Sequence, residues 1–179
     1  MRKLLVGTVL GLSSVLAMAK PGAIQGQAVV KVVEDGDTLL AELLDGTQVW
    51  VRLHLADAPE VCHRKRDPQC KKAGQPFGRE ATEALSHLVA GKVVDLRCRG
   101  ESYGRPVCDV GVQGRDVASA MILGGWAWYS PYRSDKSSTL SAAEQAARLA
   151  GRGVWSAPDP VRPADWRRSC WQEGHCPGK

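Results

Sequence analysis

The sequence has 179 residues, of which 44% are hydrophobic and 24% charged, and a formal charge of +5. That balance excludes a disordered or fibrous chain and suffices for one domain with a buried core. The one long apolar run, residues 4–16, is too short to cross a bilayer as a mature helix.

In chain order the first element is a leader. Arg2 and Lys3 precede the apolar run, and Ala17 and Ala19 put small residues where a signal peptidase reads. Residues 1–19 are therefore expected to be a cleaved signal peptide, with the mature protein exported to a periplasm or the medium. No cysteine follows the cleavage point to carry a lipid, so no membrane anchor is expected, and the mature form is read as a monomer. Cleavage leaves 22 basic against 19 acidic residues, a charge of +3, which suits a polyanionic partner without requiring one.

Residues 28–33 and 38–44 read as strands, with Asp45-Gly46 as a hairpin turn after the second. The third strand alternates, with Val49, Val51, Leu53 and Leu55 on one face and Trp50, Arg52 and His54 on the other. A helix is predicted over residues 78–90, with Ala81, Leu85, Leu88 and Val89 at helical spacing and Gly91 as its stop. Residues 93–97 and 107–112 form a second hairpin around Tyr103-Gly104-Arg105. Asp116 caps a short helix running to Leu123, and a capping-box pattern from Ser141 to Glu144 lies inside the last helix, which stops at Gly151. Five short strands with a helix after the third predict an α+β, mainly β, fold. The expected architecture is a five-stranded OB-type barrel with about three packed α-helices over residues 24–155. A Pro-, Trp- and Arg-rich tail, residues 156–179, is laid against its surface, pinned by Trp155, Trp166 and Trp171.

Three polar clusters fall in loops, where side chains are readily presented to a ligand. They are Asp35-Gly36-Asp37-Thr38, the run from Arg52 to Glu60 (R-L-H-L-A-D-A-P-E), and Tyr103-Gly104-Arg105. Hydrolysis of a phosphodiester needs a nucleophilic water and a neutralised phosphoryl group. Hard carboxylate oxygens suit Ca²⁺ or Mg²⁺, arginine forks bind phosphate oxygens bidentately, and a further carboxylate orients or deprotonates the water. Each cluster alone reads equally as a polar turn, a solvated strand face or an ordinary hairpin tip.

In this order, and with a Gly-Val-Trp at 153–155 after the last helix, the clusters closely resemble the staphylococcal nuclease (thermonuclease) family over residues 29–155. The resemblance implies an OB barrel and Ca²⁺-dependent hydrolysis of DNA and RNA to 3′-phosphate and 5′-hydroxyl ends. It implies Asp37, Asp57 and the main-chain carbonyl of Ala58 as calcium ligands, with Asp35 behind them. Arg52 and Arg105 match the phosphate-binding catalytic arginines. Glu60 matches the carboxylate that serves the water as base or orienter, and Tyr103 a residue near the terminal phosphate. There are departures. Ala58 stands where threonine is usual, which a carbonyl ligand tolerates, and Ser102 replaces a lysine, weakening phosphate contact at the hairpin tip. Tyr129, Tyr132 or Trp128 supplies a base-stacking platform, or these aromatics simply fill the gap between helix and barrel.

A basic stretch follows Glu60: Arg64, Lys65, Arg66, Lys71 and Lys72 either guide a polyanion or form a solvated loop. The six cysteines allow 15 connectivities; proximity suggests Cys62–Cys70, Cys98–Cys108 and Cys170–Cys176, the middle pair bracketing the second hairpin. Cys62 and His63 with Cys170, His175 and Cys176 form the alternative, a zinc site, which neither spacing nor export favours. The alternative function is a catalytically inactive OB module binding nucleic acid or protein, against which stands the complete set Asp37, Arg52, Asp57, Glu60 and Arg105.

Overall fold

A computed structural model describes residues 24–132 and 135–176; the expected signal peptide lies outside the described residues. The first strands are β1 (Gln25–Val33), β2 (Thr38–Leu43), β3 (Gln48–Leu53) and β4 (Ala56–Asp57), and α1 (Gly78–Val89) follows. The long hairpin β5 (Val93–Ser102) and β6 (Arg105–Val112) leads to β7 (Arg115–Asp116) and α2 (Val117–Leu123). Then come β8 (Trp128–Tyr129), α3 (Ser138–Leu149), a 3₁₀ turn at Gly153–Ser156, and α4 (Pro163–Trp166), which continues as a wide π-type turn, Arg167–Gln172. No helix among the described residues is long and apolar enough to cross a membrane.

The antiparallel order β3-β2-β1-β5-β6 closes on itself through a parallel β3–β6 pairing, Arg52 opposite Val107 and Leu53 opposite Cys108, giving the expected five-stranded OB-type barrel. Closure leaves those strands no free edge and sets Arg52 beside the strand that begins with Arg105. The interior is filled from alternating positions: Val30, Leu39, Val51, Leu53, Val94, Leu96 and Val110 are all buried. Helix α1 presents Ala81, Leu85 and Val89 at helical spacing to this core, and α2 adds Val117, Met121 and Ile122.

The second hairpin runs further than its apolar residues suggest, to Ser102 and from Arg105, because Tyr103 and Gly104 both adopt positive φ (51° and 74°) in a tight two-residue turn. Cys98 and Cys108 face each other across it and are bonded, and Cys62–Cys70 and Cys170–Cys176 form the other two disulfides. All six described cysteines are paired, so no zinc site uses them. Helix α3 encloses the capping-box pattern, as expected. The Ser137 side chain accepts from the Leu140 N–H, and Ser141 falls inside the helix.

The tail carries more structure than its composition suggests. Trp166 is buried with Ala73 and Cys170 in a small second core, and the indole N–H groups of Trp166 and Trp171 both donate to the Ala73 carbonyl, at 3.0 and 2.9 Å. Trp155 packs edge-on against Trp128 with the Arg148 guanidinium over its ring.

Leu85 is fully buried at the α1–barrel contact. Leu85→Ala is expected to cost about 2–5 kcal/mol in urea unfolding, as truncation at a close-packed site leaves a cavity. A loss under about 1 kcal/mol would mean that α1 is not part of the core.

Candidate active site

The turn from β1 to β2 is shaped for a buried acid. The Asp35 side chain accepts from the Asp37 N–H at 3.1 Å, turning the Asp37 carboxyl inward, where it is only 4% exposed. Gly36 is required by close approach, since a Cβ there would stand 2.6 Å from that of Ala58 and 2.8 Å from that of Ala81. After β3, Leu55 takes a left-handed conformation (φ 57°), a locally costly geometry, and the chain doubles back to place Asp57 beside Asp37. Arg52, the polar-face residue of β3, joins them. It donates to Asp37 Oδ1 at 3.0 Å and to Asp57 Oδ1 at 2.6 Å, and its Nη2 also lies 2.9 Å from Asp37 Oδ2. The Ala58 N–H and the Thr38 hydroxyl complete the partners of Asp37, each at 3.0 Å. Arg105, from the hairpin tip, donates to the Thr38 hydroxyl at 3.2 Å. Residues far apart in sequence thus meet at one end of the barrel.

Burial sets the electrostatics. It pushes the carboxyls of Asp35 and Asp37 above their ordinary range, helped by Glu34 near the first and Asp35 near the second, while Arg52 opposes both shifts. Burial likewise raises Glu60 to about 7, with Arg167 opposing and Asp37 and Asp57 reinforcing.

These residues line a cavity of 1820 Å³. Arg105, Tyr103 and Tyr132 also border it; Tyr103 is 93% and Tyr132 66% exposed, so both rings are accessible. Tyr129 is placed differently. It pairs with Ala56 in the β4–β8 ribbon, its hydroxyl accepts from the Ser137 N–H at 2.7 Å, and it is not among the lining residues. Trp128 is 2% exposed and offers no stacking face. His54 bridges Asp109 (2.8 Å) and Asp135 (2.6 Å), tying the segment that carries Tyr132 to the barrel. In the basic stretch, Arg66, Lys71 and Lys72 reach the cavity, whereas Arg64 and Lys65 do not line it.

One residue of the site was not anticipated. Arg167, in the tail, donates to both Asp57 oxygens at 3.1 Å and to Glu60 Oε1 at 2.5 Å. Nothing local in the sequence marks it among the tail's arginines. The spaced tryptophans indicated docking, but not which side chain docking would deliver.

The model of the staphylococcal nuclease homologue family matches residues 50–157, more than half of the chain. The chain belongs to the staphylococcal nuclease family. The match takes in Arg52, Asp57, Glu60 and Arg105 and ends before the segment bearing Arg167. A protein of Escherichia coli O157:H7 named an uncharacterized endonuclease is 37% identical over 143 residues, 78% of this chain and 82% of that one. One of the same description from Haemophilus influenzae is 33% identical over 142 residues, 78% and 71% of the two chains. A probable staphylococcal-like nuclease of Oryza sativa is 35% identical over 120 residues, 66% of this chain. The chain spans about a third (32%) of the length of that plant relative and most of the length of the bacterial ones.

The family is metal-dependent, and the donor set fits a hard cation. Asp37 and Asp57 are buried oxygen donors that lie side by side, bridged by Arg52. Among the described residues no three His, Cys, Asp or Glu side chains converge on one metal position. Two carboxylates and the Ala58 carbonyl would therefore leave water to fill most of a coordination shell of roughly six to eight.

A folded Glu60 pKa of about 7, above the ordinary 4.5, means that the metal-free native state holds this proton more tightly than the unfolded chain. Stability from this group is then present at acid pH and lost as the pH rises towards 7. Glu60→Gln is expected to gain on wild type across that window by up to about 3 kcal/mol. Denaturant unfolding of both proteins in chelator at several pH values reads the gap, and a pH-independent gap contradicts the raised pKa.

Proposed function

We propose that the mature chain is an exported, calcium-dependent nuclease, acting as a monomer, that hydrolyses phosphodiester bonds of DNA and RNA. The observation that carries this reading is the convergence of Asp37, Arg52, Asp57, Glu60 and Arg105 on one cavity in a chain of this family. The relatives' names support a nuclease reading, and the leader in residues 1–19 supports export.

Asp37, Asp57 and the Ala58 carbonyl would hold the cation, with Asp35 fixing the turn that presents Asp37. A bound hard cation polarises the phosphoryl oxygen. Arg52 and Arg105 donate to the phosphoryl oxygens, and these bonds accelerate hydrolysis insofar as they tighten while charge builds. Glu60, on the exit loop of the same strand as Arg52, accepts the proton of the attacking water at its carboxylate or orients that water. Tyr103 and Tyr132 offer exposed rings to the strand, while Tyr129 supports the loop from behind.

Digestion of single- and double-stranded DNA and of RNA by oxidised, leader-free protein is expected with calcium, with little in magnesium and none in chelator. An Arg52→Ala/Glu60→Ala variant should lose at least about 100-fold in rate. Cleavage that persists undiminished in that variant would move the site elsewhere. Salt-sensitive binding without cleavage in any metal would favour the inactive binding module. Lys71→Ala/Lys72→Ala is expected to flatten the salt dependence of single-strand binding by about 0.7 per lost phosphate contact, and an unchanged slope removes these lysines from the substrate path.

A further inference from the structure

The tail's role in the site is not explained by packing alone. Arg167 sits where α4 passes into the π-type turn, directly after the buried Trp166. Two indole N–H groups clamp the tail to the Ala73 carbonyl. The Cys170–Cys176 bond closes the turn. Gln75 joins the tail to the Glu60 loop, donating to the Val161 carbonyl at 2.5 Å while its side chain accepts from the Glu60 N–H at 3.3 Å. A packed scaffold therefore holds this guanidinium against Asp57 and Glu60. Its side chain nevertheless remains 30% exposed, on the cavity wall that Arg52 and Arg105 share.

Charge points to its purpose. Asp35, Asp37, Asp57 and Glu60 bring four negative charges, and Arg52 and Arg105 bring two positive ones. A divalent cation makes that set neutral, while Lys71 and Lys72 add positive charge elsewhere on the cavity wall. Arg167 raises the set to one net positive charge, the complement of the single negative charge on a phosphodiester. Its present bonds conflict with cation binding, because it engages both oxygens of Asp57. A cation bound at Asp57 would lie beside the like-charged Arg167 guanidinium and weaken those bonds, and the loosened N–H groups would face the cavity that Arg52 and Arg105 share.

Resting on the nuclease reading above, we infer that Arg167 is a third substrate-binding arginine of this site, supplied by the C-terminal tail. Asp57 and Glu60 hold it in place until the cation takes Asp57, and it then donates its fork to a phosphate oxygen of the nucleic acid. Metal and Arg167 compete for one carboxylate, yet both serve cleavage.

The two halves have opposite signs in one variant. Calcium binding to Arg167→Gln, measured by calorimetry without nucleic acid, is expected to be about tenfold tighter than to wild type, since a neighbouring positive charge is gone. Cleavage of a single-stranded DNA oligonucleotide at saturating calcium is expected to fall about 10- to 100-fold in kcat/KM, the effect of losing a charge-assisted bond. Arg167→Lys should recover only part of it, since lysine keeps the charge but lacks the fork. Tryptophan fluorescence and near-ultraviolet circular dichroism check that the tail stays docked in each variant. Weaker calcium binding together with slower cleavage overturns the inference in favour of a role confined to arranging the carboxylates. Tighter calcium binding with equal or faster cleavage overturns it in favour of a simple competitor. A wild type that cleaves nothing in any metal overturns the nuclease reading itself, whereas an active wild type matched by Arg167→Gln overturns this inference alone.

Discussion

Asp37 and Asp57 are almost wholly buried at the mouth of the barrel, 4% and 6% exposed, and a carboxylate in such a place must be paired. Arg52 answers that requirement by bonding both at once, from 2.6 to 3.0 Å. Much of the surrounding structure serves this triad. The Asp35 turn aims Asp37 inward, the strained Leu55 returns the chain so that Asp57 arrives, and Gly36 lets the turn lie against Ala58 and α1. Burial also keeps the carboxyls of Asp35 and Asp37 above their ordinary range, against the pull of Arg52.

Barrel closure is what makes the triad a site. The parallel β3–β6 pairing sets Arg52 opposite Val107, so the strand that begins with Arg105 runs beside the carboxylates and its hairpin tip borders the cavity. The Cys98–Cys108 bond crosses the hairpin at the seam, with Cys108 opposite Leu53. On the other side, Gly78 begins α1 hard against the backbone of Glu60; a Cβ there would come within 2.3 Å of the Glu60 carbonyl oxygen. Rigid elements therefore hold the groups assigned to phosphate, cation and water, as chemistry demanding sub-ångström placement requires.

The tail turns a family core into this particular protein. The segment after residue 157 lies beyond the family match, yet it returns to the mouth of the barrel and brings Arg167 onto Asp57 and Glu60. The basic stretch after Glu60 is stapled by Cys62–Cys70 and leads into Ala73, the residue to which the tail is clamped. The insertion and the tail thus support one another through Ala73 and Gln75, and both border the cavity.

By itself the sequence determined what short-range patterns encode. The alternation along β3, the helical spacing of Ala81, Leu85 and Val89, the Asp116 cap and the cysteines brought together by hairpin and loop all follow from contacts within a few residues or across one turn. Those patterns also located Asp37, Arg52, Asp57, Glu60 and Arg105, because their motifs are contiguous. The two-residue strands β4 and β8 escaped notice, since so short a pairing has no periodicity to detect, and with them went the reason that Tyr129 supports the loop while Tyr132 faces the cavity. Only the tertiary structure decided the place of Arg167, more than a hundred residues from its partners. That position depends on how two tryptophans dock a tail on one carbonyl, a long-range packing event that leaves no local mark on the arginine it carries.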